Sequence, residues 1–468
     1  MDLSAKRITM FTVSLALFMD VLDSNIINTA IPVMAKNFQV NPVDLKIALI
    51  SYLLSLAVFI PISGWTADRF GVKRVFIAAL SLFTLSSFWC GYAHTLMDLI
   101  VGRSIQGIGG AFMISVGKLI IARTYERHQL VQAMNTVILV VSIAVMIGPF
   151  VGGVITEHWS WPWIFWVNIP AGIAAIILAS IGLKDNTPRI IRPFDVLGFI
   201  LFGGSLALLC FSLSRFSESH TDWYDNLFII ALAVSVFVYS LVHIKKHPHP
   251  VINIKLFRLR TFQISVIGNL CCRLGFGGIP FLLPLFQQIS LGFSAQLSGL
   301  LLVPTAFGII FSKLIAFKVL GWVGYRRYLI VNTIFLALIL ATFQLINELT
   351  PVYEIAVLTF IFGIITAAQY TGMNSLAFAE ISAEDLSAST SITSTTQILA
   401  QTLGVAFSAI LLRIYAVAGP RHGPLLTTQV FHHTFLTISV ITLLSVVIFI
   451  RLESEDGQQM LIPQEKGA

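Results

Sequence analysis

Apolar residues run along this chain in long blocks, and polar residues gather in the short gaps between them. Fourteen blocks are long enough to cross a bilayer as helices: 9–31, 47–67, 75–93, 97–122, 132–155, 164–183, 194–214, 226–244, 262–287, 296–317, 328–346, 352–375, 391–416 and 431–450. About 20 apolar residues in a helix match the thickness of the hydrocarbon. Lipid cannot hydrogen-bond the backbone, so only helices and closed barrels cross it. The ten-residue alternating runs of a membrane barrel do not occur here. The pattern predicts an all-α polytopic membrane protein. The first block is too long for the core of a secretion signal, and no convincing small-residue cleavage site follows it. It reads as the first spanning helix.

Composition agrees. Hydrophobic residues make up 56% of the 468 and charged residues only 11%, with a mean hydropathy of +0.87. Soluble domains carry about 25% charged residues. The net charge of +7 invites a nucleic-acid reading, but the bases follow the topology. With fourteen spans both termini share a side. Twenty Lys and Arg lie on that side, Lys6, Arg7, Lys184, Arg189, Arg192 and Lys466 among them. Four lie on the other: Lys36, Lys46, Arg215 and Arg421. The positive-inside rule then places both termini in the cytoplasm and leaves no basic domain for nucleic acid. One cytoplasmic loop, 380–390, breaks the rule, with Glu380, Glu384 and Asp385 and no base. The cysteines Cys90, Cys210, Cys271 and Cys272 fall within spans and read as small packing residues.

No connection is long enough for a separate soluble domain. The longest cytoplasmic link, "HIKKHPHPVINIKLFRLR" (243–260), reads as a surface linker with an amphipathic piece. Its His243, His247 and His249 read as solvated, since no acid or Cys joins them, and no metal site is expected. A faint repeat runs through the chain. "GWTADRFGVKR" (64–74) follows helix 2, and "KVLGWVGYRR" (318–327) follows helix 10 without the acid. The expected organisation is a six-helix half at 1–183, two inserted helices with their linkers at 184–261, and a second six-helix half with a short tail at 262–468.

"GWTADRFGVKR" resembles the loop 2–3 motif of the major facilitator superfamily, G-x-x-x-D-R-x-G-R-[RK], through Gly64, Asp68, Arg69, Gly71 and Arg74. "LDSNIINTAIP" (22–32) is similar to the helix 1 motif of its fourteen-helix drug:proton antiporters, the EmrB/QacA type. "RSIQGIGGA" (103–111) resembles the helix 4 motif, and "GPFVGG" (148–153) the antiporter motif of helix 5. "WPWIFWVNIPAG" (161–172), "FDVLGF" (194–199) and "LFRLRTF" (256–262) resemble further stretches of the same subfamily. The resemblance covers the whole chain. It implies the major facilitator fold, with two halves rocking around a central cavity. It also implies export of lipophilic, often cationic, drugs in exchange for protons.

Charges inside spans are the clearest chemical clue, because each costs about 2.5–3.5 kcal/mol at membrane depth. Asp20 and Asp23 lie on one face of helix 1. Arg103 enters helix 4 from the same side at a depth similar to that of Asp23. The pair could couple protons, or could be a static interhelical link. Arg273 lies near mid-membrane in helix 9 and can contact an anionic group or pair with Gln369 or Asn374. Those two belong to "QYTGMNS" (369–375), which either lines the cavity or packs helices. Lys118 and Lys313, near the cytoplasmic ends of their helices, suit snorkelling to the headgroups. Gly148, Pro149, Gly152 and Gly153 permit close approach and a bend in helix 5. In the resembling family this bend limits leak. In loop 2–3, Asp68 can meet a helix N-terminus, Arg123 or Arg127 in one access state. A mere positive-inside anchor would explain Arg69, Lys73 and Arg74 but not the acid.

The reading is a cell-membrane secondary transporter, monomeric and surrounded by lipid, whose partners are a small-molecule substrate and protons. The energy source is the proton gradient. No catalytic residue, metal or cofactor is expected, and no G-x-x-x-x-G-K-[ST] phosphate loop occurs. Export of a metabolite such as a siderophore or amino acid is the alternative among transporters. A non-transporting membrane sensor is the alternative outside them.

Overall fold

The structure is a computed structural model that describes residues 3–183, 193–216, 223–248, 250–382, 385–418, 426–453 and 455–457. Lys184, Arg189, Arg192, His249, Glu384, Arg421 and Lys466 lie outside the described residues, as does the side chain of Arg127.

Among the described residues, fourteen helices are long and apolar enough to span a membrane, and each overlaps one expected from the sequence. They are α1 (Lys6–Phe38), α2 (Pro42–Phe70), α3 (Val72–Gly91), α4 (Leu96–Thr124), α5 (Gln132–His158), α6 (Trp163–Gly182) and α7 (Val196–Arg215). The others are α8 (Tyr224–Lys246), α9 (Arg260–Ile289), α10 (Ala295–Val323), α11 (Tyr325–Leu345), α12 (Val352–Ala377), α13 (Ala388–Val417) and α14 (Thr428–Phe449). No strand occurs among the described residues.

Local chemistry sets the ends. Asn41 caps the first turn of α2, accepting from the Val43 amide at 2.9 Å. Thr95 and Asp98 cap α4 reciprocally: Thr95 Oγ1 accepts from the Asp98 amide at 3.1 Å, and Asp98 Oδ2 accepts from the Thr95 amide at 2.9 Å. Gly71 (φ +93°) closes α2 and opens α3, and Gly324 (φ +77°) does the same between α10 and α11. Both need the left-handed region that only glycine enters freely. The two copies of the faint repeat thus share a backbone device.

The helices form two units by contact, Met1–Val251 with Gly292–Leu300, and Ile252–Leu291 with Leu301–Ala468. Within the first, α1 packs on α4, α5 and α6, α4 packs on α2 and α3, and α3 packs on α6. Within the second, α9 packs on α12, α13 and α14, α12 packs on α10 and α11, and α11 packs on α14. The second scheme is the first shifted by eight helices. The inserted helices α7 and α8 cluster with the first unit, where α7 lies on α2. Burial separates the roles: 72% of the most apolar window of α9 is buried, against 17% for α8. The first is a core helix and the second is mostly exposed.

The link 243–260 differs from expectation. α8 stays helical through Lys246, so His243 lies on a helix and His247 just beyond its end. Farther on, Leu256 is buried with Phe262, Val266, Ala377 and Ile392, which docks the amphipathic piece on the second unit. Asn253 donates to Asp385 Oδ1 at 3.4 Å, which gives the acidic loop 380–390 one local partner.

Candidate functional site

The polar centre of the first unit is built from α1, α2, α3, α4 and α6. Asp23 and Arg103 form an ion pair whose side chains are both 0% exposed. Three neutral groups complete it. Gln106 Nε2 donates to Asp23 Oδ1 at 3.0 Å and to Ser87 Oγ at 2.8 Å. Asn168 Nδ2 donates to Asp23 Oδ1 at 2.9 Å. Arg103 Nη1 also donates to Gln106 Oε1 at 2.7 Å. Arg103 Nε and Nη2, and Asn168 Oδ1, are buried and make no hydrogen bond within the protein.

The guanidinium lies 4.0 Å from the ring centre of Tyr52, close enough for a desolvated cation–π contact. The Tyr52 hydroxyl donates to Asp20 Oδ1 at 2.6 Å. The two acids of helix 1 therefore belong to one network that runs Asp20, Tyr52, Arg103, Asp23.

The helix 4 motif makes room for it. A Cβ at position 107 would lie 2.5 Å from the Tyr52 carbonyl oxygen, and one at 110 would collide with Asp20 Oδ1. Gly107 thus lets α4 approach the α2 backbone, and Gly110 leaves space for the carboxylate.

The helix 5 motif works in the same way. A Cβ at 148 would lie 2.9 Å from that of Asn25, and one at 152 would collide with the Ile26 carbonyl oxygen. Thr29 Oγ1 donates to the Pro149 carbonyl at 3.2 Å. Gly153 meets the Ala295 backbone, and Gly299 meets that of Pro149. All four motif positions thus lie in dense contact.

In loop 2–3, Arg123 Nη2 donates to Asp68 Oδ1 at 2.7 Å, with both side chains partly exposed. Of the partners open to Asp68, Arg123 holds it. Arg69 lies over the rings of Trp65 and Phe70. Lys73 donates to the Ser180 carbonyl at 2.6 Å, near the end of α6. Arg74 is exposed, and nothing lies near Gly64 that explains a glycine there.

The second unit holds Arg273 on α9, the counterpart of α1, so a base lies on the helix that corresponds to the one with the acids. Arg273 stacks over Tyr370 at 4.0 Å and donates to the Gln397 carbonyl at 3.4 Å. Its Nε is buried without a hydrogen bond. Arg273 does not pair with Gln369 or Asn374. Gln369 is tied to α11, accepting from Asn332 at 2.7 Å and donating to Thr333 at 2.9 Å. Asn374 accepts from Gln397 Nε2 at 2.7 Å. Gln397 touches both Arg273 and Asn374. Lys118 and Lys313 are exposed, and all four cysteines are free.

Sequence reasoning missed Tyr52, Ser87, Asn168, Tyr370 and Gln397 as partners. Asn168 stood within the 161–172 stretch and Gln106 within the 103–111 stretch, neither with a role. Tyr52, Ser87 and Tyr370 carried no charge to single them out.

The model of the Major Facilitator Superfamily matches residues 13–405 and 266–467. A relative named MdtD, for multidrug resistance, in Pectobacterium carotovorum is 34% identical over 465 residues, covering 99% of this chain and 100% of the relative. An Escherichia coli protein of the same name is 33% identical over 463 residues, covering 98% of each. The stretches "FQQISLGFS" (286–294) and "GYRR" (324–327) resemble those of MdtD-like transporters. Among solved structures, a POT peptide transporter aligns with a TM-score of 0.70 at 13% identity over 96% of this chain and 95% of that one. A D-xylose-proton symporter aligns with a TM-score of 0.68 at 14% identity over 96% and 98%. These two likenesses concern the fold. Helix count, repeated packing, motifs and relatives agree: the chain belongs to the major facilitator superfamily, as a fourteen-helix transporter of the MdtD-like kind.

Proposed function

We propose that the protein is a proton-coupled exporter of small lipophilic, drug-like compounds, cationic ones among them, that works by alternating access. The buried Asp23–Arg103 pair carries this reading. A carboxylate can hold a proton or a guanidinium, and each weakens its hold on the other. Arg103 keeps its charge. When Asp23 takes a proton, Arg103 retains Gln106 and the Tyr52 ring. Asp20, tied to the same ring, is a second acid that shapes the network. The names of the relatives support drugs as the substrate class.

The proton gradient is the energy source, with no cofactor and no catalytic step. Gly148, Pro149, Gly152 and Gly153 hold the seam that limits leak. Gly64, Asp68 and Arg69 at the end of α2, Gly71 at the turn and Arg74 at the start of α3 form the junction whose Asp68–Arg123 link belongs to one access state. The basic bias supports both termini in the cytoplasm, the bacteria of the relatives support the inner membrane of a Gram-negative cell, and the protein acts as a monomer among lipids on this reading. A second reading rests on Arg273: a buried guanidinium with an unmet donor suits an anionic metabolite such as an amino acid or siderophore, with Asn374 linked to it through Gln397 and Gln369 turned to α11.

The test is flux in proteoliposomes under an imposed pH gradient, using a lipophilic cation and a carboxylate compound as separate probes. Gradient-driven cation flux is expected in the wild type. Asp23→Asn should lose uphill flux and keep downhill exchange, and Asp20→Asn should be milder. Removing one partner of a buried ion pair costs about 3–5 kcal/mol, so protein abundance is measured alongside. Full coupling in the double variant Asp20→Asn/Asp23→Asn would remove helix 1 from the mechanism. Gradient-driven flux of the carboxylate compound alone would favour the metabolite reading.

A further inference from the structure

Asp195 stands just before α7, and His243 and His247 stand one helical turn apart at the end of α8. Folding joins groups nearly fifty residues apart in sequence. Asp195 is 3% exposed. Its Oδ1 accepts from the Gly198 amide at 2.8 Å and lies 2.7 Å from His243 Nε2. Its Oδ2 is buried without a hydrogen bond and lies 3.9 Å from His247 Nδ1. A side chain at 198 would collide with Oδ2, so Gly198 opens the space this oxygen occupies. The two imidazoles are partly exposed, 5.3 Å apart between ring centres.

One ligand atom from each of the three residues lies within 4.8 Å of the other two. Bonds of 2.0–2.1 Å in a tetrahedral zinc site place neighbouring ligand atoms about 3.3 Å apart. The carboxylate lies within reach of both rings, its Oδ1 2.7 Å from His243 Nε2 and its Oδ2 3.9 Å from His247 Nδ1. A simple Asp–His hydrogen bond between helix ends accounts for His243. It does not account for the buried carboxylate oxygen Oδ2, which makes no hydrogen bond. Two imidazoles and a carboxylate suit zinc and its neighbours, whereas magnesium and calcium prefer all-oxygen sites.

We propose that Asp195, His243 and His247 form a binding site for a divalent transition-metal ion of the zinc class, clamping the start of α7 to the end of α8. Three protein ligands leave a fourth position for water. The acid that the sequence reading found missing comes from the other inserted helix.

The test uses the full-length protein in detergent, without a histidine tag and after chelator treatment. Zn²⁺ is titrated by calorimetry, and Co²⁺ is followed by its visible absorption. One equivalent of Zn²⁺ is expected, with Co²⁺ giving the strong bands of a four-coordinate site. Asp195→Asn keeps an amide oxygen for the Gly198 cap and removes the charged ligand. His247→Gln changes a partly exposed side chain at a helix end. Groups that merely orient ligands already cost about 10–100-fold in affinity. Each variant should therefore weaken Zn²⁺ binding at least about tenfold, with the metal-free melting temperature nearly unmoved. Absence of a bound equivalent, or an affinity unchanged in both variants, overturns the site.

Discussion

The hydroxyl of Tyr52 donates to Asp20 at 2.6 Å. The same ring carries the guanidinium of Arg103 on its face. One side chain thus joins the two acids of helix 1 through two kinds of interaction, a hydrogen bond and a cation–π contact. The acids need not touch to act together.

Tyr52→Phe separates those interactions. It keeps the ring and removes the donor. A hydrogen bond to a charged group is worth about 1.5–3 kcal/mol. The expected result is a shifted pH midpoint of gradient-driven flux, with near-normal protein yield. Tyr52→Leu also removes a desolvated cation–π contact worth about 2 kcal/mol. Its melting temperature should fall below that of Tyr52→Phe. Equal pH profiles for wild type and Tyr52→Phe would detach Asp20 from coupling.

Asp68→Asn should impair flux while leaving membrane insertion intact. The Asp68–Arg123 pair is partly exposed, and such pairs contribute about 0.2–1 kcal/mol to stability. A large loss of flux would therefore report on a conformational step. The exchange Asp68→Arg/Arg123→Asp should restore part of it. Wild-type flux from Asp68→Asn at normal abundance would reduce the loop to an anchor.

Two glycines should behave oppositely. Gly152→Ala drives a methyl group into the Ile26 carbonyl and Thr29, and such overpacking costs about 1–3 kcal/mol. Gly64 has nothing within 4 Å of an added Cβ. There Ala should be neutral or gain up to about 1 kcal/mol of helix stability. Thermal melting of both variants in one detergent makes the comparison. Similar melting temperatures would mean that α1 and α5 tolerate separation.

Arg273→Lys keeps the charge and loses the planar stack on Tyr370. If Arg273 binds substrate, affinity should fall more than protein yield, by about tenfold for one lost charge-assisted hydrogen bond. A binding titration beside a yield measurement decides it. Parallel losses in both would mark a structural role.

Much of this molecule was legible in its sequence. Hydrocarbon imposes one local demand on every span, a run of about 20 apolar residues in a helix. All fourteen helices follow from that demand, and the glycine-containing turns at Gly71 and Gly324 mark the repeat. The Asp23–Arg103 pair was also within reach, because charges are scarce in lipid and two at similar depth restrict the choice of partner.

Tertiary structure decided what depends on the rotation of each helix about its axis. That angle is set by close packing, and hydropathy does not encode it. Only the fold turns Tyr52 beneath Arg103, brings Asn168 of α6 to Asp23, and points Gln369 at α11 rather than at Arg273. Only the fold carries Asp195 to His243 and His247. Lipid specifies that a helix must form; its neighbours specify which way its few polar groups face.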